Sequence, residues 1–151
     1  MIDVNQADLD YIRHLNDLIA GGLLHIADLR FKAYPGAIVY DDSGASKPTP
    51  SNKLERIFAL IDSEERRVNR LIDKRYALKC KAIREIQEVI PPENMAARHV
   101  LYLRYLARDS SGNNLGWSDV FRYVNKYHNI SERHMHRLHH NGVSALTLHN
   151  I

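Results

Sequence analysis

The sequence has a single cysteine and no long apolar run. Cys80 is the only cysteine among 151 residues, so an internal disulfide and a thiolate cluster for zinc are both excluded. No apolar segment reaches the roughly 18 residues that span a bilayer. The N-terminal sequence MIDVNQADLD is acidic, where a secretory signal is basic and then apolar. These features predict a cytoplasmic protein that makes no membrane contact.

Motifs that support catalysis are also missing. The sequence contains no glycine-rich phosphate loop, no GxSxG and no carboxylate pair with an acid–base spacing. Cys80 lies in a charged helical stretch, where an isolated cysteine is typically an inert packing residue. We therefore predict a protein that is not an enzyme and uses no cofactor.

The histidines raise the question of a metal site, because seven of the nine lie within residues 99–149. His136 and His140 are four residues apart on one helical face, with His134 and His139 nearby, and two imidazoles at this spacing can bind zinc or nickel. However, the sequence has no HExxH motif, and a third ligand would have to come from elsewhere. We expect exposed or packed histidines and no functional metal site.

Charge is distributed unevenly, although the net charge is only +3. Residues 1–50 contain 4 basic and 7 acidic side chains, whereas residues 51–151 contain 17 basic and 11 acidic ones. The clustered histidines add positive charge to the second part when they are protonated. This asymmetry indicates a polyanionic partner for the C-terminal part of the chain.

Apolar residues of the first segment follow a heptad pattern and predict a helix over residues 5–32, in an N-terminal region 1–33. They recur at steps of three and four: Ile12, Leu15, Ile19, Gly22, Ile26, Leu29 and Ala33. Gly21 and Gly22 either weaken this helix or let another helix approach closely. The stripe fits an ordinary buried face as well as a dimer-forming coiled coil.

Residues 34–52 are rich in proline, glycine, serine and aspartate, and predict a linker or long loop. The stretch that follows predicts one charged helix over residues 53–90. Its apolar stripe comprises Ile61, Val68, Ile72, Tyr76, Lys79, Ile83, Ile86 and Ile90. Such a long helix needs a partner, either the first helix folded back as an antiparallel hairpin or a second copy of the chain. We predict a long helical hairpin or coiled-coil arm, and a homodimer.

Beyond Pro91-Pro92, residues 91–151 predict a small head of three helices, over 92–108, 117–127 and 131–148. The last two form a helix-turn-helix pattern. Its apolar positions are Trp117, Val120, Val124, Ile130, Met135, Leu138, Val143 and Leu146. Asn129 occupies the turn, where a left-handed backbone is common, and Ser131 is expected to cap the last helix. The chain as a whole is predicted to be all-α.

If these apolar residues face inward, the other face of the last helix is cationic and rich in hydrogen-bond donors. An arginine on a helix in the major groove can donate two hydrogen bonds to guanine, and contacts from the preceding helix reach the DNA backbone. The pattern equally fits a small bundle with a solvated basic face. We predict double-stranded DNA as the partner, with helix 131–148 in the major groove. The predicted DNA-binding residues are Arg122, Lys126, Ser131, Glu132, Arg133, His134, His136, Arg137, His140 and Asn141.

The head resembles a known family in the segments LYLRYL and RLHHNGVSAL, in Trp117 and in the Ser131 helix start. It is similar to the C-terminal domain of phage and prophage transcriptional regulators of the ArpU/RinA type, which itself resembles the promoter-reading fourth region of bacterial sigma factors. The resemblance implies DNA-binding control of phage genes in a bacterial host cell. It places Met135 and Leu138 at buried positions, and it places the following residues at DNA-facing ones: Glu132, Arg133, His136 and Arg137.

The resemblance leaves several points open. The operator, the direction of regulation and a contact with the host RNA polymerase do not follow from it. Related folds serve other DNA-binding tasks, so a second class of function stays in view. The alternative is a phage DNA-packaging subunit similar to a small terminase, or a helical protein–protein adaptor.

Overall fold

The computed structural model describes residues 6–34 and 51–149, with the side chains of 6–34 and 52–146. Over these residues the chain forms five α-helices: α1 (Gln6–Ala33), α2 (Ser51–Val89), α3 (Met95–Leu101), α4 (Trp117–His128) and α5 (Glu132–His149). A 3₁₀ turn, Pro92–Asn94, precedes α3, and a π-helical turn, Tyr102–Leu106, follows it. The described part contains no β-strand, and the predicted all-α class is confirmed. Most of the predicted linker, residues 35–50, lies outside the described residues.

The chain divides into two compact units, and both α1 and α2 run through the two. The hairpin unit is residues 18–72, and the head unit is residues 1–17 together with 73–151. The head unit therefore combines the N-terminal part of α1 and the C-terminal part of α2 with the three shorter helices. None of the described helices combines the length and the apolar character that a membrane crossing requires.

In the hairpin unit, α1 and α2 pack against each other in antiparallel directions. Their shared core consists of Ile19, Ile26, Leu29, Ala33, Ile57, Ile61 and Val68. A Cβ added at Gly22 would lie only 2.5 Å from Cγ2 of Val68, so glycine is required for this close approach. All seven positions of the predicted α1 heptad, from Ile12 to Ala33, are buried. The antiparallel hairpin within one chain is thus confirmed.

The predicted apolar stripe of α2 is wrong in its middle. Ile72 and Tyr76 are 42% and 68% exposed. The buried positions recur every seven residues instead: Ile61, Val68, Arg75 and Ala82. At 3.6 residues per turn, two steps of four residues carry a side chain about 80° around the helix, whereas a step of seven returns it to within about 20°. The buried side of α2 therefore includes a charged residue, Arg75, that the predicted apolar stripe does not contain.

Two further expectations for α2 need correction. The helix begins at Ser51 and not at residue 53, so Ser51 and Asn52 belong to it and not to the linker. The side-chain oxygen of Asn52 accepts the N–H of Lys53 at 2.9 Å. Cys80 is exposed, so it is not a packing residue.

The segment 92–108, predicted as one helix, is divided into three pieces. The α-helix ends at Leu101 and widens into the π-helical turn, where the N–H of Ala107 donates to the carbonyl of Tyr102 at 2.9 Å. Ala107 then has extended backbone, and Arg108 forms an isolated antiparallel bridge with Asn114. The wide turn ends the helix two residues earlier than expected and begins the loop 107–116.

The core of the head unit receives side chains from all five helices. Its fully buried members include Leu9, Ile12, Ala82, Val100, Leu101, Val120, Val124, Met135 and Leu146. The loop 107–116 is fixed on α1 by side-chain amides. Asn16 donates to the carbonyl of Gly112 at 3.0 Å, and Asn114 donates to the carbonyl of Arg13 at 3.0 Å. These bonds attach to α1 the loop that leads into α4.

Candidate nucleic-acid interface

The turn between α4 and α5 depends on one residue in the left-handed conformation. Asn129 has φ 50° and ψ 54°, and its N–H donates to the carbonyl of Asn125 at 2.9 Å. Asparagine tolerates this backbone better than most residues because its short polar side chain can form local hydrogen bonds. The predicted turn residue is confirmed, and the chain reverses into α5 within three residues.

Ser131 caps the N-terminus of α5, as predicted. Its Oγ accepts the N–H of His134 at 3.1 Å, and its carbonyl accepts the N–H of Met135 at 3.0 Å. One of the free N–H groups of the first turn is therefore satisfied by a side chain, which fixes where the helix starts. Glu132 and Arg133, next along the chain, are exposed in this first turn.

One side of α5 is buried in the head unit. Met135 and Leu146 are fully buried, and Leu138 and Val143 are 9% and 7% exposed. A Cβ added at Gly142 would lie 3.0 Å from Cδ1 of Leu101, so α5 approaches α3 closely at this point. This packing leaves only the opposite side of α5 available to a partner.

The available side of α5 carries most of the predicted DNA-binding residues. Six of them are exposed: Glu132, Arg133, His136, Arg137, His140 and Asn141. Their spacing of three and four residues places them on one face of the helix. His134 is only half-buried, and its backbone N–H is engaged by the cap. Within the described part of the chain, neither the Arg133 nor the Arg137 guanidinium takes part in an ion pair.

The exposed face of α4 carries Arg122 and Lys126, each beside a tyrosine. Arg122 lies 3.2 Å from the carboxylate of Asp119 and 5.5 Å from the ring centre of Tyr123. The Lys126 ammonium lies 5.7 Å from the ring centre of Tyr127, which is 69% exposed. Sequence reasoning missed both tyrosines, although their four-residue spacing beside two cations was a usable signal.

Trp117, at the start of α4, lies in a cluster of cationic and aromatic groups. The Arg104 guanidinium carbon is 4.4 Å from its ring centre, and the rings of His136 and His139 are 4.7 Å and 4.8 Å away. Tyr105 Oη and His139 Nε2 are 2.6 Å apart. Arg104 and Tyr105 were not predicted to support the helix-turn-helix, since the π-helical turn that carries them leaves no signature in helical periodicity.

Burial sets the protonation state of this cluster. It lowers the pKa of His139 to about 4, with Arg104 and His136 acting in the same direction. Burial raises the pKa of Tyr105 to about 12. At neutral pH the imidazole of His139 is therefore uncharged and the phenol of Tyr105 keeps its proton, so the pair joins the π-helical turn to α5 by a neutral hydrogen bond.

A second histidine pair joins α3 to the C-terminal end of α4. His99 Nδ1 and His128 Nε2 are 2.8 Å apart. Burial lowers the pKa of His99, and the neighbouring His128 lowers it further. A hydrogen bond between two imidazoles requires one ring nitrogen without a proton, which the lowered pKa favours.

Among the described residues, no group of three histidine, cysteine, aspartate or glutamate side chains is placed to hold a metal ion. His136 and His139, considered above as ligands, contact Trp117 instead.

No protein-family model matches this sequence, and comparison with curated proteins and with solved structures finds no significant similarity.

Proposed function

We propose that this protein binds double-stranded DNA in a sequence-specific manner, with α5 as the recognition helix in the major groove. The observation that carries the proposal is the construction of α5 itself. Its start is fixed by Ser131 and its apolar side is buried, while Arg133 and Arg137 remain exposed on the other side. A rigid helix that presents unpaired arginines is the geometry that reads base edges.

The contrast with the hairpin unit supports this proposal over a merely solvated basic face. Three arginines of that unit lie beside carboxylates in ion pairs: Arg30 with Glu65, Arg66 with Asp62, and Arg67 with Glu64. The positive charge of these three is compensated within the protein, whereas Arg56 and Arg70 have no such partner among the described residues. The positive charge of Arg133 and Arg137 is not compensated in this way, so it is available to phosphates and guanine bases.

Control of phage or prophage gene expression in the bacterial host cytoplasm is the role that we propose for this binding, on the strength of the resemblance described above. The proposal includes no catalytic step. A contact with the host RNA polymerase is compatible with it. The alternative is a DNA-packaging subunit or a protein adaptor. Assembly of the chain into a large ring, or a need for a protein partner, would favour this alternative.

We further propose that the hairpin unit pairs with a second copy of the chain. A cleft of about 220 Å³ on its surface has Ile26 and Val68 among its lining residues, and Leu23 and Ile72, which also line it, are 52% and 42% exposed. Arg30 and Glu65, which also line the cleft, are paired with each other and leave no net charge at its edge. Two copies related by a two-fold axis would cover this apolar surface on both chains.

The test is selection of bound duplexes from random DNA, followed by affinity measurement on the selected site. We expect Arg133→Ala and Arg137→Ala each to weaken specific binding by about 1–3 kcal/mol. Arg70→Ala, which removes an exposed arginine of the hairpin unit that has no ion pair among the described residues, serves as the matched control and is expected to leave the affinity unchanged. Unchanged affinities and footprints for both α5 variants would contradict the assignment of this helix to the major groove.

A further inference from the structure

A polar cleft of about 470 Å³ lies in the head unit beside the loop 107–116. Lys79 of α2, Tyr102 and Leu106 of the π-helical turn, and Arg108 and Ser110 of the loop line it. The volume falls within the range of roughly 300–1,000 Å³ that is typical of small-molecule sites. None of these residues belongs to the α5 face described above, so the cleft is a separate feature of the head unit.

A buried arginine lies next to this cleft. Arg75 is only 5% exposed, and its Nη2 donates to the carbonyl of Leu106 at 2.7 Å. Its Nε has no hydrogen-bond partner. Burial lowers the pKa of Arg75, and the charge of Arg108 lowers it further, so the two guanidinium groups destabilise each other. A buried cation without a nearby negative charge is unfavourable unless another group compensates it.

The other charged groups around the cleft are Lys79, which adds positive potential, and Asp109. Lys79 is one helical turn beyond Arg75, and its ammonium lies 5.8 Å from the ring centre of Tyr102. The carboxylate of Asp109 also lines the cleft, but its Oδ1 accepts the N–H groups of Ser111 and Asn113, each at 2.9 Å. That carboxylate stabilises its own turn, and its single negative charge offsets only part of the positive charge of Lys79, Arg108 and Arg75. A net positive charge therefore surrounds a space large enough for a ligand.

We propose that this cleft binds a phosphate-type oxyanion, held by Lys79 and Arg108 with Arg75 behind them. The anion would compensate the net positive charge that Asp109 leaves in the cleft, which is the role that oxyanions have in arginine and lysine clusters. The phosphate belongs either to the backbone of bound DNA or to a free phosphorylated molecule. The free-ligand form of the proposal does not depend on DNA binding.

The first experiment measures thermal unfolding of the full chain in sodium phosphate and in sodium chloride at equal ionic strength. A ligand that binds only the folded state raises the unfolding temperature. We expect phosphate, and more strongly pyrophosphate, to raise it above the chloride value. The double variant Lys79→Gln/Arg108→Gln should lose this gain, whereas Arg84→Gln, at an exposed position of α2, should keep it.

The second experiment measures duplex DNA affinity against salt concentration in chloride buffer without phosphate. If the site holds a backbone phosphate, the double variant lowers the slope of log affinity against log salt by about 1–2, because up to two phosphate contacts are lost. If the site holds a free ligand, the double variant keeps the wild-type salt slope but loses the gain in unfolding temperature that the wild-type chain has in phosphate.

The proposal is overturned if phosphate gives no gain over chloride and the double variant keeps the wild-type salt slope. It is also overturned if the double variant keeps the full phosphate gain. Should the chain not bind DNA at all, the unfolding measurements alone decide on the cleft, so failure of the proposed function and failure of this site are distinguishable.

Discussion

Gly21 and Gly22 are neighbours in α1 with opposite surroundings. A Cβ at Gly21 would meet no atom within 4 Å, whereas a Cβ at Gly22 would collide with Val68. Glycine lowers helix stability relative to alanine when nothing requires it. Substitution at Gly21 therefore measures the intrinsic cost of glycine in a helix, and substitution at Gly22 measures the packing requirement between the two helices.

We predict that Gly21→Ala raises the free energy of unfolding by about 0.5–1 kcal/mol, the usual gain in a helix interior. Gly22→Ala should lower it by about 1–3 kcal/mol, because the added methyl group forces the helices apart. Urea unfolding followed by circular dichroism measures both changes. A shift in the same direction for the two variants would contradict the close approach at Gly22.

His139 gives the head unit a defined pH dependence. Its pKa is about 4 in the folded protein, below the ordinary value of 6.5. Between these values the folded state binds fewer protons than the unfolded state, so the free energy of unfolding falls as the pH is lowered through this window. The lowered pKa of His99 acts in the same direction.

We therefore predict a loss of stability when the pH changes from about 7 to about 5, measured by urea unfolding. His139→Gln removes one of the responsible groups and should flatten the dependence, even if the variant is less stable at neutral pH. His14→Gln, at an exposed position of α1 in the same unit, should keep the wild-type slope. Equal slopes for the two variants would show that His139 is not a source of the effect.

At the scale of the elements, the start of α5 depends on a single side-chain cap. We predict that Ser131→Ala lowers the free energy of unfolding by about 1 kcal/mol, the usual effect of removing such a cap, because the N–H of His134 loses its partner. Ser131→Asp should retain most of the stability, since aspartate is an equally good cap. Thermal unfolding checks both variants, and an unchanged Ser131→Ala protein would mean that water replaces the hydroxyl without loss.

The elements that could be predicted from sequence are those whose signals are local. The heptad of α1 and the Asn129 turn with its Ser131 cap are read from spacing and from residue type. The buried stripe of α2 was mispredicted because Arg75 is buried through a hydrogen bond to Leu106, a tertiary contact that no apolar pattern contains. The π-helical turn was missed for a similar reason, as its side chains fit α-helical spacing until Ala107.

The candidate site could be predicted only on its exposed side. Arg133, His136 and Arg137 follow from helical spacing opposite the apolar residues of α5. Arg104 and Tyr105, which contact Trp117 and His139, are brought to the site by a different element. Sequence periodicity describes one helix at a time and contains no information on which elements meet.

At the scale of the whole molecule, the two units differ in the pairing of their arginines and in the apolar side chains that they expose. The hairpin unit pairs three of its arginines with carboxylates and exposes large apolar side chains, among them Leu23, Leu24 and Ile72. The head unit leaves Arg133 and Arg137 of α5 unpaired, and apart from Met95 its exposed large hydrophobic side chains among the described residues are tyrosines. This division favours protein contact for the first unit and nucleic-acid contact for the second, in agreement with the common use of dimers by helix-turn-helix proteins to bind two half-sites.

The oligomeric state tests this division directly. We predict a dimer by light scattering, with a mass of about twice the 17.4 kDa of the chain. Leu23→Glu/Ile72→Glu places charges on the proposed contact surface and should give a monomer, whereas Leu24→Glu, an exposed leucine outside the cleft, should remain a dimer. Because the variant head is unaltered, the monomer should keep its affinity for a single half-site and lose the additional affinity for a paired site. A wild-type monomer, or a double variant that remains dimeric, would contradict the assignment of this surface to a second copy.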